Sequence, residues 1–175
     1  MTSSITSVVA LSLILIAGGC SCDRTSGCGN AEGTAWSGAV DFDHVATQAL
    51  QVMKQHADEL KANGAGIVAY IPGDMTTTWT SRMVVVGSFT KNNNNVLAMV
   101  YTKASEMADT LQDSGSGVRA KLNGENGWKG GVIRKVPGGY LVAAFSGAKS
   151  EDDVAFSLAG MEIMLKAYGP LGTGK

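Results

Sequence analysis

Two histidines and two basic residues carry the side chains best suited to ligand chemistry in this sequence. His44 and His56 are its two histidines, and a neutral imidazole is a common metal ligand. Arg82 and Lys103 can hold carboxylate groups through charge-assisted hydrogen bonds. These four residues form the predicted ligand-binding set, with His44 and His56 as its candidate metal ligands.

Each of these residues also has a purely structural explanation. His56 falls on the apolar stripe of a predicted helix, where a buried imidazole can bond a backbone carbonyl. His44 falls on the polar face of the same helix and would be solvated. Lys103 borders a buried stripe and could extend its amine to water. Five methionines are expected to fill gaps in the core: Met83, Met99, Met107, Met161 and Met164.

Motifs for catalysis are absent from the sequence. It contains no G-x-S-x-G or H-E-x-x-H pattern and no Ser-His-Asp order. Glu151, Asp152 and Asp153 are consecutive, and neighbouring residues on a helix do not face each other. They are interpreted as favourable charge at a helix start. We therefore predict no catalytic residue and favour binding over catalysis.

The N-terminal residues predict export and lipidation. Residues 8–17 form an apolar run of signal-peptide length, too short for a membrane-spanning helix. Ala17-Gly18-Gly19 then precede Cys20, as in the lipobox of bacterial lipoproteins, whose cysteine is acylated. No Lys or Arg precedes the run, so a plain secretory signal or a short N-terminal anchor is the alternative. We expect residues 1–19 to be a signal peptide and the protein to be lipid-anchored outside the cytoplasm, facing the periplasm or the cell surface.

The two cysteines after Cys20 could pair with each other. Cys22 and Cys28 would lie in a compartment where disulfides persist. The alternative is two free thiols. The three cysteines lack the C-x-x-C spacing of a zinc site. Residues 20–40, rich in Ser and Gly, are interpreted as a flexible tether between membrane and domain.

The remainder of the chain has the size and charge of one globular domain. The chain has 175 residues and a net charge of -1, which argues against nucleic acid as a partner. Residues 41–170 are assigned to the domain and residues 171–175 to a short tail. Apolar periodicity predicts a helix, two strands, a second helix, two strands and a third helix. Strands in hairpin pairs favour an antiparallel sheet with helices packed on it, an α+β fold.

The most regular stretch, residues 139–165, predicts a strand, a tight turn and a helix. Ser150 is the expected N-cap of that helix. The expected buried stripe has spacings of four, three and four: Val154, Leu158, Met161 and Leu165. Small residues on this helix would let it approach the sheet closely: Ala155, Ala159 and Gly160.

Three segments together resemble the GlcG/HbpS-like domain family, also called the haem-degrading domain family. The first is Ser81-Arg82-Met83, and the second is residues 103–108, KASEMA. The third is residues 145–148, FSGA, followed by an acidic helix start and Ala159-Gly160. The resemblance spans residues 42–168. One departure is Pro72-Gly73-Asp74, where the family usually carries an Asp-x-x-Gly turn.

The resemblance implies a profilin-like α+β fold, a tendency to form homo-oligomers, and haem or a related tetrapyrrole as ligand. Haem needs an apolar slot and an axial ligand. An exposed His44 could provide that ligand in a shallow groove or between subunits. Arg82 and Lys103 could hold the propionates.

The leading hypothesis is therefore a lipid-anchored extracytoplasmic domain that binds haem or a related tetrapyrrole without catalysis. One alternative is an enzyme that acts on haem or a small organic acid. Another is an oligomeric structural or interaction module of the cell envelope.

Overall fold

A computed structural model describes residues 40–169 of the chain. The predicted signal peptide, Cys20 lipidation, Cys22–Cys28 disulfide and C-terminal tail lie outside these residues. Within them, the helices are α1 (Phe42–Glu59), α2 (Val96–Thr110) and α3 (Ser150–Tyr168). The strands are β1 (Gly64–Pro72), β2 (Thr80–Val86), β3 (Thr90–Lys91), β4 (Asn94–Asn95), β5 (Gly131–Val136) and β6 (Gly139–Ser146).

Four of the strands form one antiparallel sheet in the order β2-β1-β6-β5. Helices α1 and α3 pack on one face and α2 on the other, each over its own buried cluster. Along β1, Val68 points to α1 and α3, whereas Ile67 and Ala69 point to α2. Both faces of the central strands are covered, which explains their nearly continuous apolar sequences. The predicted α+β fold class is confirmed, and the architecture is consistent with a profilin-like arrangement.

Helix α1 buries a face other than the one that the sequence predicts. The Asp41 side chain caps the helix by accepting from the backbone N–H of His44. His56 is exposed, so the predicted apolar stripe through it is wrong. Because α1 contacts both α3 and the sheet, its buried face is wider and centred elsewhere. The buried residues are Val45, Ala46, Ala49, Leu50, Met53 and Ala57.

Helix α3 starts differently from the prediction. Ser150 is its first residue, and the preceding Lys149 makes no side-chain cap bond. Asp153 Oδ1 instead accepts from the backbone N–H of Ala148 at 2.9 Å. Leu158 is 45% exposed, so the predicted stripe is displaced as well. The buried residues of α3 are Asp153, Phe156, Ser157, Gly160, Met161, Met164 and Tyr168.

Helices α1 and α3 pack closely against each other. A Cβ on Gly160 would lie 2.5 Å from Met53 Sδ of α1. The small residue at this position therefore serves the α1–α3 contact, whereas the sequence suggested an approach to the sheet. Among residues 40–169, no helix combines the length and apolarity needed to cross a membrane.

Candidate functional site

The two histidines lie on the exposed surface of α1. Their separation of twelve residues corresponds to about 18 Å along the helix axis, so one metal ion cannot bind both. His56 is exposed, which overturns the interpretation of a buried imidazole. His44 is exposed too, as its polar face predicted, and its Nε2 lies 3.2 Å from Gln48 Nε2. Within the part of the chain that the structure describes, no three His, Cys, Asp or Glu side chains are grouped to hold a metal.

Arg82 joins β2 to the start of α1. Its Nε donates to Asp43 Oδ1 at 2.8 Å, and its Nη2 lies 2.6 Å from Asp43 Oδ2. Both side chains are more than half exposed, so water screens the pair. The hydrogen bond from Arg82 lowers the pKa of Asp43 below its usual value. The paired Asp43 is the residue next to His44, so the structure brings Arg82 and His44 to the same end of α1.

A groove of about 220 Å³ lies between α1 and β2, called here the α1–β2 groove. Its lining consists of Thr47, Leu50, Gln51, Lys54, Arg82, Met83 and Val84. The groove combines two cations, Arg82 and Lys54, with the apolar side chains of Leu50 and Val84. Sequence reasoning identified Arg82 here and missed Lys54.

His44 belongs to the same helix face as this lining. The positions 44, 47, 51 and 54 recur at spacings of three, four and three, which place them on one side of a helix. His44 therefore stands one turn before Thr47, at the end of the groove that Arg82 occupies. The sequence contained this signal as the polar face of the predicted helix.

The side chain of Met83 points in a different direction from those of its neighbours on β2. Strand side chains alternate between faces, so Met83 points away from the face that carries Arg82 and Val84. It pairs with Ile67, whose side chain lies on the α2 face. Met83 is 36% exposed, so the prediction that it fills the core is wrong. Met107, Met161 and Met164 are buried as predicted, whereas Met99 is half-buried.

Lys103 occupies a different part of the molecule and is buried. It is 2% exposed, which contradicts the expectation of an amine extended to water. Its Nζ donates to Phe145 O at 2.7 Å and lies 2.8 Å from Asp153 Oδ2. Burial lowers the pKa of Lys103, and burial raises the pKa of Asp153. The ion pair connects α2, on one face of the sheet, with the first turn of α3 on the other.

Asp153 was not assigned to a site from the sequence. It stands in an acidic triplet that suits a helix start, and its partner is 50 residues away. The available signal was Lys103 itself, because a lysine beside a buried helical stripe requires an acidic partner. The predicted four-residue set thus separates into His44 and Arg82 at the α1–β2 groove, His56 further along α1, and Lys103 across the sheet.

Lys103 also lines a second cavity, of about 190 Å³. This cavity, called here the Lys103 cavity, lies between α2, the β3–β4 hairpin and the turn before α3. A third groove, of about 420 Å³, runs beside α2 and is lined by Thr76, Thr77, Thr78, Trp79, Ser105, Ala108 and Asp109. None of the predicted ligand-binding residues lies in this third groove.

The residues of the α1–β2 groove fit the chemistry that haem requires. Leu50 and Val84 of the lining provide apolar contact, and the exposed imidazole of His44, which lies outside the lining beside Gln48, is on the same helix face. Arg82 and Lys54 are suited to the propionates. The Lys103 cavity does not suit haem, because its lining is mainly polar and includes a buried lysine–aspartate ion pair.

The fold and the groove define an α+β domain with an open groove between α1 and β2, in which Arg82 and Lys54 each pair with an aspartate. In comparisons with known proteins, no family model matches the chain and no curated protein matches it. Among solved structures, the chain is similar to one described as the crystal structure of HbpS, with 15% identity and a TM-score of 0.41. That similarity covers 69% of this chain and 87% of the HbpS chain.

Proposed function

We propose that this domain is a non-catalytic ligand-binding domain whose ligand, haem or a related tetrapyrrole, lies in the α1–β2 groove. The observation that carries the proposal is the position of His44 on the helix face that also carries Thr47, Gln51 and Lys54 of the groove. The resemblance to a family with haem-binding members supports the choice of ligand.

Each side chain has a separate part in this proposal. His44 ligates the iron as a neutral imidazole. Arg82 and Lys54, at different positions along the groove, bind the two propionates. Arg82 has five N–H donors and uses two of its nitrogens on Asp43, so donors remain for a ligand carboxylate. Leu50 and Val84 contact the ring.

The cellular location proposed for this domain rests on the N-terminal sequence. Residues 8–17 and Cys20 support a lipid-anchored domain outside the cytoplasm, in which the ligand is captured from the periplasm or the cell exterior. Mass spectrometry of the mature N-terminus tests this part. A diacylated or triacylated Cys20 supports it, and an unmodified chain beginning at Met1 contradicts it.

A hemin titration tests the binding proposal. The full chain in detergent is titrated with hemin, and the Soret band is followed for the wild type, His44→Ala and His56→Ala. The histidine variants are matched, because both residues are exposed on α1 about 18 Å apart. We expect a Soret shift that is retained in His56→Ala and lost in His44→Ala.

The cations are tested in the same titration. Arg82→Ala and Lys54→Ala are each expected to weaken hemin binding about tenfold, since each removes a charged partner of a propionate. Ser81→Ala is the control on the same strand, because Ser81 does not line the groove and pairs with Ala69, whose side chain lies on the α2 face. Wild-type protein that remains folded and shows no Soret shift at micromolar hemin would contradict the proposed function.

A further inference from the structure

The Lys103 cavity has the features of a second ligand site, separate from the α1–β2 groove. Its lining includes two lysines, Lys91 and Lys103, with the amides of Asn92 and Asn94. Its volume of about 190 Å³ corresponds to roughly six water molecules, at about 30 Å³ each. A ligand of a few heavy atoms therefore fits.

Lys103 has one hydrogen-bond donor left for such a ligand. An ammonium group has three donors. The two protein acceptors that it contacts are Phe145 O and Asp153 Oδ2, and the side chain is 2% exposed. One donor of the ammonium group is therefore left over, and Lys103 is one of the residues that line the cavity.

The charges around the cavity favour an anion. Asp153 is the acidic residue in the lining, and both of its oxygens already accept hydrogen bonds, from Ala148 N–H and from Lys103. Lys91 carries a second positive charge, and its ammonium donates to Gly147 O. Two lysines and one aspartate leave a net charge of +1 on the lining residues.

Apolar and neutral polar groups complete the surroundings. Val96 and Met99 offer hydrocarbon contact, and Trp128 lies at the exposed side with 48% of its surface accessible. Asn92 and Asn94 add amide groups that can bond either to an anion or to a hydroxyl group. The cavity thus has a charged, buried end and a partly apolar wall.

We infer that the Lys103 cavity binds a small carboxylate, with the carboxylate held by the ammonium groups of Lys103 and Lys91. The carboxylate accepts the remaining proton of Lys103, and the methyl or methylene part of the ligand contacts Val96 and Met99. Asp153 holds Lys103 in place and does not contact the ligand. The site does not depend on haem binding, since its lining shares no residue with that of the α1–β2 groove.

Acetate and acetamide are the probes, because they have nearly the same shape and differ in charge. Each is titrated into the full chain in detergent at constant ionic strength, and Trp128 fluorescence is followed. Trp128→Phe identifies the part of the signal that comes from this residue. We expect saturable binding of acetate and at least about tenfold weaker binding of acetamide.

Substitution of an exposed lining residue tests whether acetate binds in this cavity. Lys91 is exposed, so Lys91→Ala should fold, and we expect it to weaken acetate binding about tenfold. Lys54→Ala, in the other groove, should bind acetate as the wild type does. Lys103→Gln should abolish acetate binding if it folds, as checked by circular dichroism.

Three results would overturn the inference. The first is equal binding of acetate and acetamide to the wild type, and the second is no binding of either. The third is an acetate affinity that Lys91→Ala leaves unchanged. Hemin binding by Lys91→Ala is measured in parallel and should equal that of the wild type, which separates failure of this site from failure of the proposed function.

Discussion

The buried ion pair of Lys103 and Asp153 shows how strongly one side chain can constrain this fold. Each charge loses its hydration on burial, and only the partner and a few backbone groups replace it. The Lys103 ammonium also lies against Gly130, where an added Cβ would overlap Nζ. Gly130 has a φ of +136°, a conformation that favours glycine. The pair and the glycine are therefore best understood as one unit.

Removal of one member of the pair should be strongly destabilising. We expect Lys103→Met to lower the free energy of unfolding by about 3–5 kcal/mol, because Asp153 would be left buried without its counter-charge. The double variant Lys103→Met/Asp153→Asn should lose less than the sum of the two single variants. Urea denaturation of the four proteins measures this coupling. Additive losses would show that the two groups stabilise the fold independently.

The residue scale is also where sequence reasoning reached its limit. Polar-face periodicity correctly predicted that His44 is exposed. The ion pair of Lys103 depends on a contact with a residue 50 positions away, and no local spacing reveals it. Met83 was assigned to the core from its apolar neighbours, but β2 is an edge strand, so a β-branched run there is only partly covered.

At the scale of elements, local signals predicted most helices and strands because they depend on short-range chemistry. Asp41 and Asn95 cap α1 and α2 through their own side chains. The prediction that Ser150 caps α3 was wrong. The side chain of Asp153 instead accepts a hydrogen bond from the backbone of the preceding turn. The buried faces of α1 and α3 were displaced because the two helices pack on each other as well as on the sheet, and that contact is set by the tertiary structure.

Ion pairs hold the long connection between α2 and β5 in place. Arg119 lies between Asp109 and Glu125, with Nη2 2.6 Å and 2.8 Å from their carboxylates. Arg119 and the backbone N–H of Leu122 lower the pKa of Glu125 to about 2. Loop residues also cover the outer edge of β5, where Asp113 Oδ1 accepts from the N–H of Ile133 at 2.9 Å. The loop is therefore a structured part of the domain.

This arrangement predicts a pH-dependent loop. A depressed carboxylate pKa contributes stability above the unfolded value of 4.5, and that stability is lost as the pH falls toward about 2. Glu125→Gln should therefore reduce the hydrogen-exchange protection of the loop amides at pH 7, and the difference from the wild type should narrow at pH 3. Glu162→Gln, in an exposed pair on α3, is the control. Equal protection of wild type and Glu125→Gln at pH 7 would contradict the role of this pair.

At the scale of the whole molecule, the domain has two candidate sites of different chemistry that share no lining residue. The α1–β2 groove presents two cations, with the imidazole of His44 on the same helix face. The Lys103 cavity lies between α2 and the start of α3 and contains a buried charge. The sequence predicted the α+β class from the order of its elements, yet it grouped His44, Arg82 and Lys103 in one set. Their separation follows from the course of β1 and β6 through the centre of the sheet, which periodicity does not determine.

The location of a bound porphyrin tests the central proposal most directly. Amide chemical shifts of the isotopically labelled full chain in detergent are recorded with and without gallium protoporphyrin, a diamagnetic haem analogue. We predict that the largest shifts fall on residues 43–54 of α1 and 81–84 of β2, and that His44→Ala reduces them. Porphyrin-dependent shifts confined to other surfaces, or none at saturating porphyrin, would contradict the assignment of the ligand to the α1–β2 groove.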